Sequence, residues 1–456
     1  MLFRSEFASP SSSVLWPFLL APFAWLPRPL FMLVPFVLNV GLVLGETALI
    51  YAILVRVLSA PGEPRVQPVS LTIVIIVCCN VVGVAMIGLE HSLQGLLTLL
   101  IVRGLVILAL DDRLDRWLLV GIALLPLVRY EGALISLSAV AFAWSRGRPI
   151  TIVPLALGGL GVVAFGAWLM SHGLPPLPSS VLVKLATRVP RTFVQHSVPA
   201  IIVVCLLPTL RPAWRLRAEP RRALPYVLPV ATVIIYATQM IFVAWYGRYE
   251  VFLFLYVLGL LLALFPDECR RLLARGPMHA LRSRRALLYG GGVLAAIYTM
   301  PLIAVPIASH DVMLQPAEVA RFTRQFWRRP VAIDDLGLAS LGTDDYVLDM
   351  LGLGSDTARR ALSSPAAGAQ LVALAKQQHV DLAAIYDFPN ALTTGQNWLH
   401  VADLTVDTTS FVLPVSTVQI WTRDAAAAAE AQALLRQFAR ALPPEEQLTV
   451  ANREER

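Results

Sequence analysis

Three short charged segments stand at the ends of apolar runs in this sequence. They are Gly88-Leu89-Glu90-His91, Arg129-Tyr130-Glu131-Gly132 and Gly247-Arg248-Tyr249-Glu250. Hydrocarbon disfavours ionised groups, so charged residues beside membrane-length apolar runs usually serve a function. A proline- and serine-rich segment, 175–180, precedes Lys184 and supplies a fourth polar stretch. We interpret the four stretches as one polar site gathered at one side of a membrane.

Three cations in these stretches have the chemistry to hold a phosphate: Arg129, Lys184 and Arg248. Arginine can bind two phosphate oxygens at once, and lysine supplies a point charge. Such contacts stabilise the negative charge that develops on a phosphate leaving group. Arg129 and Arg248 could instead be helix-end residues whose charged groups extend to the membrane surface. We predict that the three cations bind a donor phosphate.

Glu131 is the candidate for accepting a proton from an acceptor hydroxyl. It lies two residues after Arg129, so the two side chains would diverge on a regular helix and could converge at a helix break. A structural ion pair at that break is an equal alternative. Glu90, His91 and Tyr249 are predicted to contact a sugar or the acceptor. Glu90 and His91 alone are too few ligands for a metal site, so no metal site is predicted. The alternative for this pair is a polar cap at a helix end.

The composition is that of a polytopic membrane protein, with 57% hydrophobic and 15% charged residues. A spanning helix needs roughly 20 apolar residues. Eight apolar runs predict spans, at about 31–55, 69–88, 92–110, 150–171, 198–210, 222–245, 249–266 and 287–309. Segment 14–26 is short and its orientation stays open. Segment 117–144 is interrupted by Arg129 and Glu131, which predicts two short helices meeting at a polar break that lines a cavity.

The distribution of arginine predicts the orientation. Loops 211–222 and 270–285 are rich in arginine and are therefore predicted to be cytoplasmic. Because successive spans cross the membrane in alternating directions, the charged segments are predicted to lie on the face opposite to these loops. The 172–197 loop and everything after about residue 310 are predicted on that same face. The net charge of +7 does not indicate nucleic acid, because the arginines lie between apolar runs and form no aromatic-interleaved patch.

The composition changes at His310 to that of a soluble α/β domain. Strands are predicted at 331–333, 380–386 and 411–421, and helices at 366–378 and from an Asp424 cap to about 442. Asp334-Asp335 after the first strand could bind metal or sugar, although acids at strand ends commonly make turns. The predicted domains are thus 1–309, transmembrane, and 310–456, extracytoplasmic. The outer domain is expected to cover the membrane cavity or to present the acceptor.

Seven motifs occur in an order that resembles bacterial membrane glycosyltransferases of the GT-C type. They are Ser11–Trp16, Gly88–Leu93, Arg129–Gly132, Pro178–Lys184, Gly247–Tyr249, Asp334–Gly337 and Asp349–Leu353. The resemblance implies a mainly α, GT-C-like transmembrane bundle in the bacterial inner membrane. It also implies transfer of a sugar from a polyprenyl-phosphate donor to an extracytoplasmic glycan, lipid or protein acceptor. No organic cofactor is implied, and dependence on a divalent metal stays open.

The chain departs from this family near its start. The family's catalytic acids lie in a first external loop ahead of the serine-tryptophan motif, which here begins at Ser11. We therefore expect that loop to be missing, with Glu6 the only acid before Trp16, either because the start is misassigned or because the chain has lost its base. Two other functions stay open: a transporter or flippase of lipid-linked glycans, and a non-catalytic partner that binds polyprenyl lipid. Transporters often carry matched broken helices, whereas this sequence predicts one break, which favours the enzyme.

Overall fold

The computed structural model describes residues 8–58, 68–186, 193–240, 247–274, 285–341, 343–387, 390–394, 396–407 and 415–451. The chain is mainly helical and forms two compact units. A helical unit comprises Ser13–Phe165 and Val189–Ile303. A sheet unit comprises Met1–Ser12, Gly166–Arg188 and Ala304–Arg456.

The described α-helices up to residue 206 are α1 (Leu15–Leu20), α2 (Arg28–Leu58), α3 (Pro68–Cys78), α4 (Val81–Ala85), α5 (His91–Asp111), α6 (Arg116–Val128), α7 (Gly132–Ser145), α8 (Ile152–Ser171), α9 (Ser179–Ala186) and α10 (Phe193–Leu206). Those that follow are α11 (Leu210–Arg215), α12 (Pro220–Gln239), α13 (Val251–Leu264), α14 (Pro266–Ala274), α15 (Arg285–Arg321), α16 (Leu336–Ser340), α17 (Asp356–Leu362), α18 (Ala367–Gln377) and α19 (Ala425–Ala439). The strands are β1 (Val331–Ile333), β2 (Val347–Asp349), β3 (Leu382–Tyr386), β4 (Leu399–Val406), β5 (Thr417–Thr422) and β6 (Glu446–Val450).

Five helical stretches within the described residues are long and apolar enough to cross a membrane. They are Arg28–Leu58, His91–Asp111, Pro149–Ser171, Gln195–Arg215 and Leu294–Trp327. Large apolar side chains on α2, such as Val37 and Leu44, and on α8, such as Leu160 and Val163, are more than a third exposed. Soluble monomers rarely expose continuous apolar faces of this kind. These helices have the length and the surface of segments that contact a lipid bilayer.

The prediction of one spanning helix over 69–88 is wrong. Helix α3 ends at Cys78, and Asn80 adopts a left-handed backbone with φ of 54° before the short α4 begins. A left-handed residue cannot continue a right-handed helix, and asparagine tolerates that conformation better than most residues. Asn80 is a single polar residue in this run, and its type alone does not indicate a left-handed conformation.

The predicted break within 117–144 is confirmed, because α6 and α7 are separated by residues 129–131. The two helices contain 13 and 14 residues, and the Ser136 hydroxyl donates to the Ile122 carbonyl oxygen at 3.0 Å. They therefore fold back beside each other as a hairpin. A Cβ atom at Gly132 would lie 2.7 Å from the Leu125 carbonyl oxygen, so the close approach at the turn requires glycine.

Helix α5 lies in the core of the helical unit and packs against α2, α6 and α13. Close packing depends on small residues, as is common between apolar helices. A Cβ atom on Gly104 would lie 2.4 Å from the Leu118 Cβ atom, and one on Gly259 would lie 2.3 Å from Val102 Cγ1. Helix α5 is therefore packed closely against α6 and α13 around residues 102–104.

The sheet unit contains one six-stranded sheet in the order β2-β1-β3-β5-β4-β6. Strands β2, β1 and β3 are parallel, and the remaining pairs are antiparallel. The predicted strands 331–333 and 380–386 and helix 366–378 are confirmed with small changes of boundary. The Asp424 carboxylate accepts from the Ala427 N–H at 2.9 Å and caps α19 as predicted. Strand 411–421 was placed too early, because β5 begins at Thr417 and residues 411–414 lie outside the described part.

Glu446 is a buried acid at the start of β6. Its side chain is 7% exposed, and neither carboxylate oxygen bonds to a described residue. Burial raises the pKa of Glu446 to about 8, with Glu318 and Glu445 raising it further and Arg321 opposing them. Folding therefore favours the protonated acid, and stability falls as the pH rises from the unfolded pKa through about 8.

We predict that Glu446→Gln stabilises β6 at pH 9 by an amount on the order of a few kcal/mol and has little effect at pH 4. Amide hydrogen exchange of β4 and β6 in the full chain measures this difference. Glu445→Gln is the matched control and should give a smaller shift at pH 9. Equal protection of Glu446→Gln and the unchanged protein at pH 9 would contradict the prediction.

Candidate functional site

Arg129 is the centre of a buried charged cluster in the helical unit. It follows the last residue of α6 with extended backbone angles and is 4% exposed. Its Nη1 atom donates to Glu90 Oε1 at 2.7 Å, and its Nε atom donates to Glu131 Oε1. We refer to Glu90, Arg129, Glu131, Arg248 and Tyr249 as the Arg129 cluster.

The local backbone explains why these side chains meet. Glu131 immediately precedes α7 and Glu90 immediately precedes α5, so each carboxylate is held at a helix start. On a regular helix the side chains of residues 129 and 131 would point in different directions. The extended conformation of Arg129 removes that constraint. The structure thus contains the ion pair that the sequence left as one of two interpretations for Arg129 and Glu131.

Tyr249 connects the two guanidinium groups of the cluster. The Arg129 Cζ atom lies 5.3 Å from the centre of the Tyr249 ring, and the Arg248 Cζ atom lies 4.9 Å from it. Both distances are within the range of cation–π contacts. The Arg248 Nη2 atom also donates to Tyr249 Oη at 2.9 Å, and the His91 ring meets the Tyr249 ring edge-on at 5.8 Å. Six of the seven predicted site residues, all except Lys184, therefore form one group.

Of two residues that sequence reasoning did not assign, Tyr236 contacts this group and Glu250 is its neighbour in sequence. The Tyr236 hydroxyl on α12 donates to the Tyr249 carbonyl oxygen, and Tyr236 is fully buried. Glu250 is also fully buried and immediately precedes α13. Glu250 belonged to a recognised charged segment, whereas Tyr236 lies inside an apolar run where its hydroxyl was the sole signal.

The backbone before Glu90 is held by a side chain from α2. Asn39 is fully buried, and its Nδ2 atom donates to the Ala85 and Leu89 carbonyl oxygens at 3.2 and 3.0 Å. Gly88 in the same segment has a left-handed φ of 74°. These contacts determine where Glu90 emerges relative to α5. Asn39 is thus a positioning residue for the cluster.

Lys184 lies in α9, which belongs to the sheet unit. Its side chain lies outside the described part of the structure. Its predicted phosphate contact therefore stays a prediction.

Asp334 and Asp335 follow β1 in the sheet unit. Asp334 Oδ2 accepts from the Tyr386 N–H at 2.7 Å, and Asp335 Oδ1 accepts from the Gly337 N–H at 3.3 Å and caps α16. Burial raises the pKa of Asp334 to about 6, with the neighbouring carboxylates of Asp349 and Asp335 adding to this effect. Asp335 thus makes the turn that the sequence suggested. Asp334 is buried, with 2% of its surface exposed.

Asp349 has a structural role at the end of β2. Its Oδ1 atom accepts from the N–H groups of Leu351 and Gly352, and its Oδ2 atom accepts from those of Gly354 and Ser355. Four backbone donors satisfy its charge and shape the following loop. Across the described residues, no group of three or more histidine, cysteine, aspartate and glutamate side chains is arranged to hold a metal ion.

We predict that Arg129→Met destabilises the helical unit by about 3–5 kcal/mol, because it leaves two buried carboxylates without their shared counter-charge. Adding Glu90→Gln and Glu131→Gln to Arg129→Met should restore much of the loss. Reversible unfolding of the full chain in bicelles measures both effects. Arg103→Met is the control, because Arg103 pairs with Asp115 and is one-third exposed, and it should cost about 1 kcal/mol or less. Equal losses for the two methionine variants would contradict the structural account.

We also predict that Gly247→Ala disrupts the cluster. Gly247 has a left-handed φ of 60°, and an added Cβ atom would lie 2.6 Å from the Tyr298 ring. The backbone conformation alone costs about 1–2 kcal/mol for alanine, and the ring must also move. A lower thermal midpoint is the expected result. Gly159→Ala is the matched control, because nothing lies within 4 Å of the added atom and alanine favours helices. A midpoint unchanged in Gly247→Ala would count against the described geometry.

Comparison with protein families gives one partial match. A family model described as a domain of unknown function (DUF8728) matches residues 307–430, which belong to the sheet unit. Searches of curated proteins and of solved structures found no match to this chain.

Proposed function

We propose that this protein is an integral membrane glycosyltransferase of the GT-C type. It would transfer a sugar from a polyprenyl-phosphate donor to an extracytoplasmic glycan, lipid or protein acceptor at the bacterial inner membrane. The observation that carries the proposal is the buried Arg129 guanidinium bound to two carboxylates beside a tyrosine that also contacts Arg248. The ordered motifs that resemble the GT-C family support the same assignment.

The proposed reaction needs a negatively charged base at the acceptor hydroxyl and positively charged groups at the donor phosphate. The bond between the anomeric carbon and the phosphate oxygen breaks, and its electron pair leaves with the phosphate. The acceptor hydroxyl oxygen forms the new bond and loses its proton to a base, for which Glu131 is the candidate. Positive groups must stabilise the departing phosphate.

The contacts of Arg129 suggest a division of roles within the cluster. Arg129 already binds two carboxylates, so a phosphate that approached it would meet negative charge as well. Arg248 is half-buried, and its Nε atom bonds to no described residue. We therefore assign the principal phosphate contact to Arg248. Arg129 would orient Glu90 and Glu131 toward hydroxyl groups of the sugar and the acceptor, beside His91 and Tyr249.

A non-catalytic protein that binds polyprenyl lipid is the second candidate. The observation that favours it is that Glu131, the proposed base, is engaged by Arg129 in an ion pair. In this alternative the Arg129 cluster stabilises the helix break and Arg248 holds a lipid phosphate. The two candidates share a lipid-binding step and differ in turnover.

We predict that the purified full chain in nanodiscs releases polyprenyl phosphate from at least one member of a panel of decaprenyl-phosphate hexoses and pentoses. Arg248→Gln should lower turnover by about 100- to 1,000-fold, because it removes a charge that stabilises the leaving group. Glu131→Gln should lower turnover with less effect on lipid binding. Mass spectrometry of released lipid measures turnover, and native mass spectrometry measures bound lipid.

Arg221→Gln is the matched control for Arg248→Gln. Arg221 lies in the same unit and also stacks on an aromatic ring, with its Cζ atom 4.5 Å from the Trp144 ring centre. It should retain turnover. If the unchanged protein binds lipid without turnover, and if this binding is lost in Arg248→Gln but retained in Arg221→Gln, the protein is a lipid-binding protein and not an enzyme. Absence of both turnover and lipid binding would contradict both candidates.

A further inference from the structure

A small pocket in the sheet unit has properties that the proposed reaction does not use. It lies beside the end of β1, and its polar lining consists of Gln315, Asp334, Asp335 and Tyr386. Apolar side chains, including Ile333 and Val418, form the remaining wall. The pocket has a volume of about 20 Å³. One water molecule needs at least about 10–15 Å³, so the pocket has room for one water molecule or one small ion.

Two residues that line this pocket each have a side-chain oxygen atom without a hydrogen-bond donor in the described structure. Asp334 is 2% exposed, and its Oδ1 atom makes no hydrogen bond although Oδ2 accepts from Tyr386. Gln315 is 1% exposed, and its Oε1 atom is likewise unsatisfied. Leaving a buried acceptor unsatisfied lowers the stability of the folded state. Two such atoms on residues that line one small pocket are a reason to look for a ligand there.

The chemistry of Gln315 determines which of its atoms is available. Its Nε2 atom donates to the Val415 carbonyl oxygen at 3.2 Å. A carbonyl oxygen accepts hydrogen bonds and cannot pair with the amide oxygen, so the amide cannot be turned over without losing this bond. The oxygen of Gln315 is therefore left for the pocket.

The charge of the pocket distinguishes a cation from a water molecule. Asp334 and Asp335 both contribute carboxylates, and none of the described residues that line the pocket is basic. The Tyr386 hydroxyl donates to Asp335 Oδ2 at 3.4 Å, which is a weak contact. Nearby Asp349 adds negative charge, although its oxygens are occupied by backbone donors. Water could satisfy the hydrogen bonds but would add no positive charge, whereas a cation would do both beside the two carboxylates.

We propose that this pocket binds a hard divalent cation, Ca²⁺ or Mg²⁺, through Asp334 Oδ1, Gln315 Oε1 and the Asp335 carboxylate. Carboxylate and amide oxygens with water are the ligands that these ions take in proteins. The pocket is only partly enclosed, so water would complete the coordination. Because Gln315 lies on α15 and Asp334 follows β1, the ion would join the long helix to the parallel part of the sheet.

The test measures binding of Mn²⁺ to the full chain in nanodiscs of uncharged lipid by electron paramagnetic resonance. Competition with Ca²⁺ and with Mg²⁺ in separate titrations identifies the preferred ion. Asp334→Asn and Gln315→Leu should each weaken Mn²⁺ binding by at least about tenfold. Losses of this size are typical even for residues that only hydrogen-bond to a metal ligand. Asp403→Asn is the matched control, because Asp403 lies on β4 and bonds to His400 outside the pocket. It should leave binding unchanged.

Amide hydrogen exchange without metal shows whether each variant remains folded, read on β1 and β3. A second exchange experiment with saturating Ca²⁺ should slow exchange at the Tyr386 N–H, which donates to Asp334, in the unchanged protein and in Asp403→Asn. Loss of saturable Mn²⁺ binding in folded Asp334→Asn and Gln315→Leu supports the proposal. Absence of saturable binding in the unchanged protein would overturn it in favour of ordered water. Binding that is equal in all variants would overturn it in favour of a different site.

Discussion

The guanidinium of Arg129 is a full charge placed within the helical unit, and much of the local structure follows from the need to compensate it. The penalty for burying an ion is several kcal/mol, and attraction to a partner offsets it only when geometry and hydrogen bonds are good. The carboxylates of Glu90 and Glu131 provide those bonds from the starts of α5 and α7, while Arg129 itself follows α6. Three helix ends must therefore be in register at once. The Asn39 contacts before Glu90 and the glycine at 132 in the tight turn satisfy the same requirement.

The two units treat buried carboxylates in different ways. In the helical unit, Glu90 and Glu131 share one arginine of the chain itself as their counter-charge. In the sheet unit, Asp349 is satisfied by backbone N–H groups, but Asp334 keeps one oxygen that no described group satisfies. A carboxylate with its own counter-charge can be held in a fixed position before any ligand arrives. A carboxylate without a counter-charge in the chain depends on cations from the solution. The stability of the sheet unit should therefore depend on the ions present, whereas that of the Arg129 cluster should not.

Sequence patterns were sufficient for features that depend on local chemistry. The helix break around residue 129, the first and third strands and the Asp424 cap were all predicted, because charge in an apolar run, β-branched residues and a capping acid act over a few residues. The interruption at Asn80 was missed, since an asparagine in an apolar run gives no indication of its φ. Tyr236 and Gln315 were missed for another reason. Their roles come from contacts with residues 13 and 100 positions away, which no local pattern contains.

The hairpin of α6 and α7 has a consequence for the biogenesis of the protein. Each helix is shorter than the roughly 20 residues needed to hold a segment across a bilayer, so the two would have to insert together. An arginine at the centre of an inserting segment costs about 2.5–3.5 kcal/mol on translocon scales. Glu131 is part of the same hairpin and bonds to Arg129. The nascent segment would thus carry the counter-charge of Arg129 within itself, before Glu90 and the rest of the cluster assemble around it.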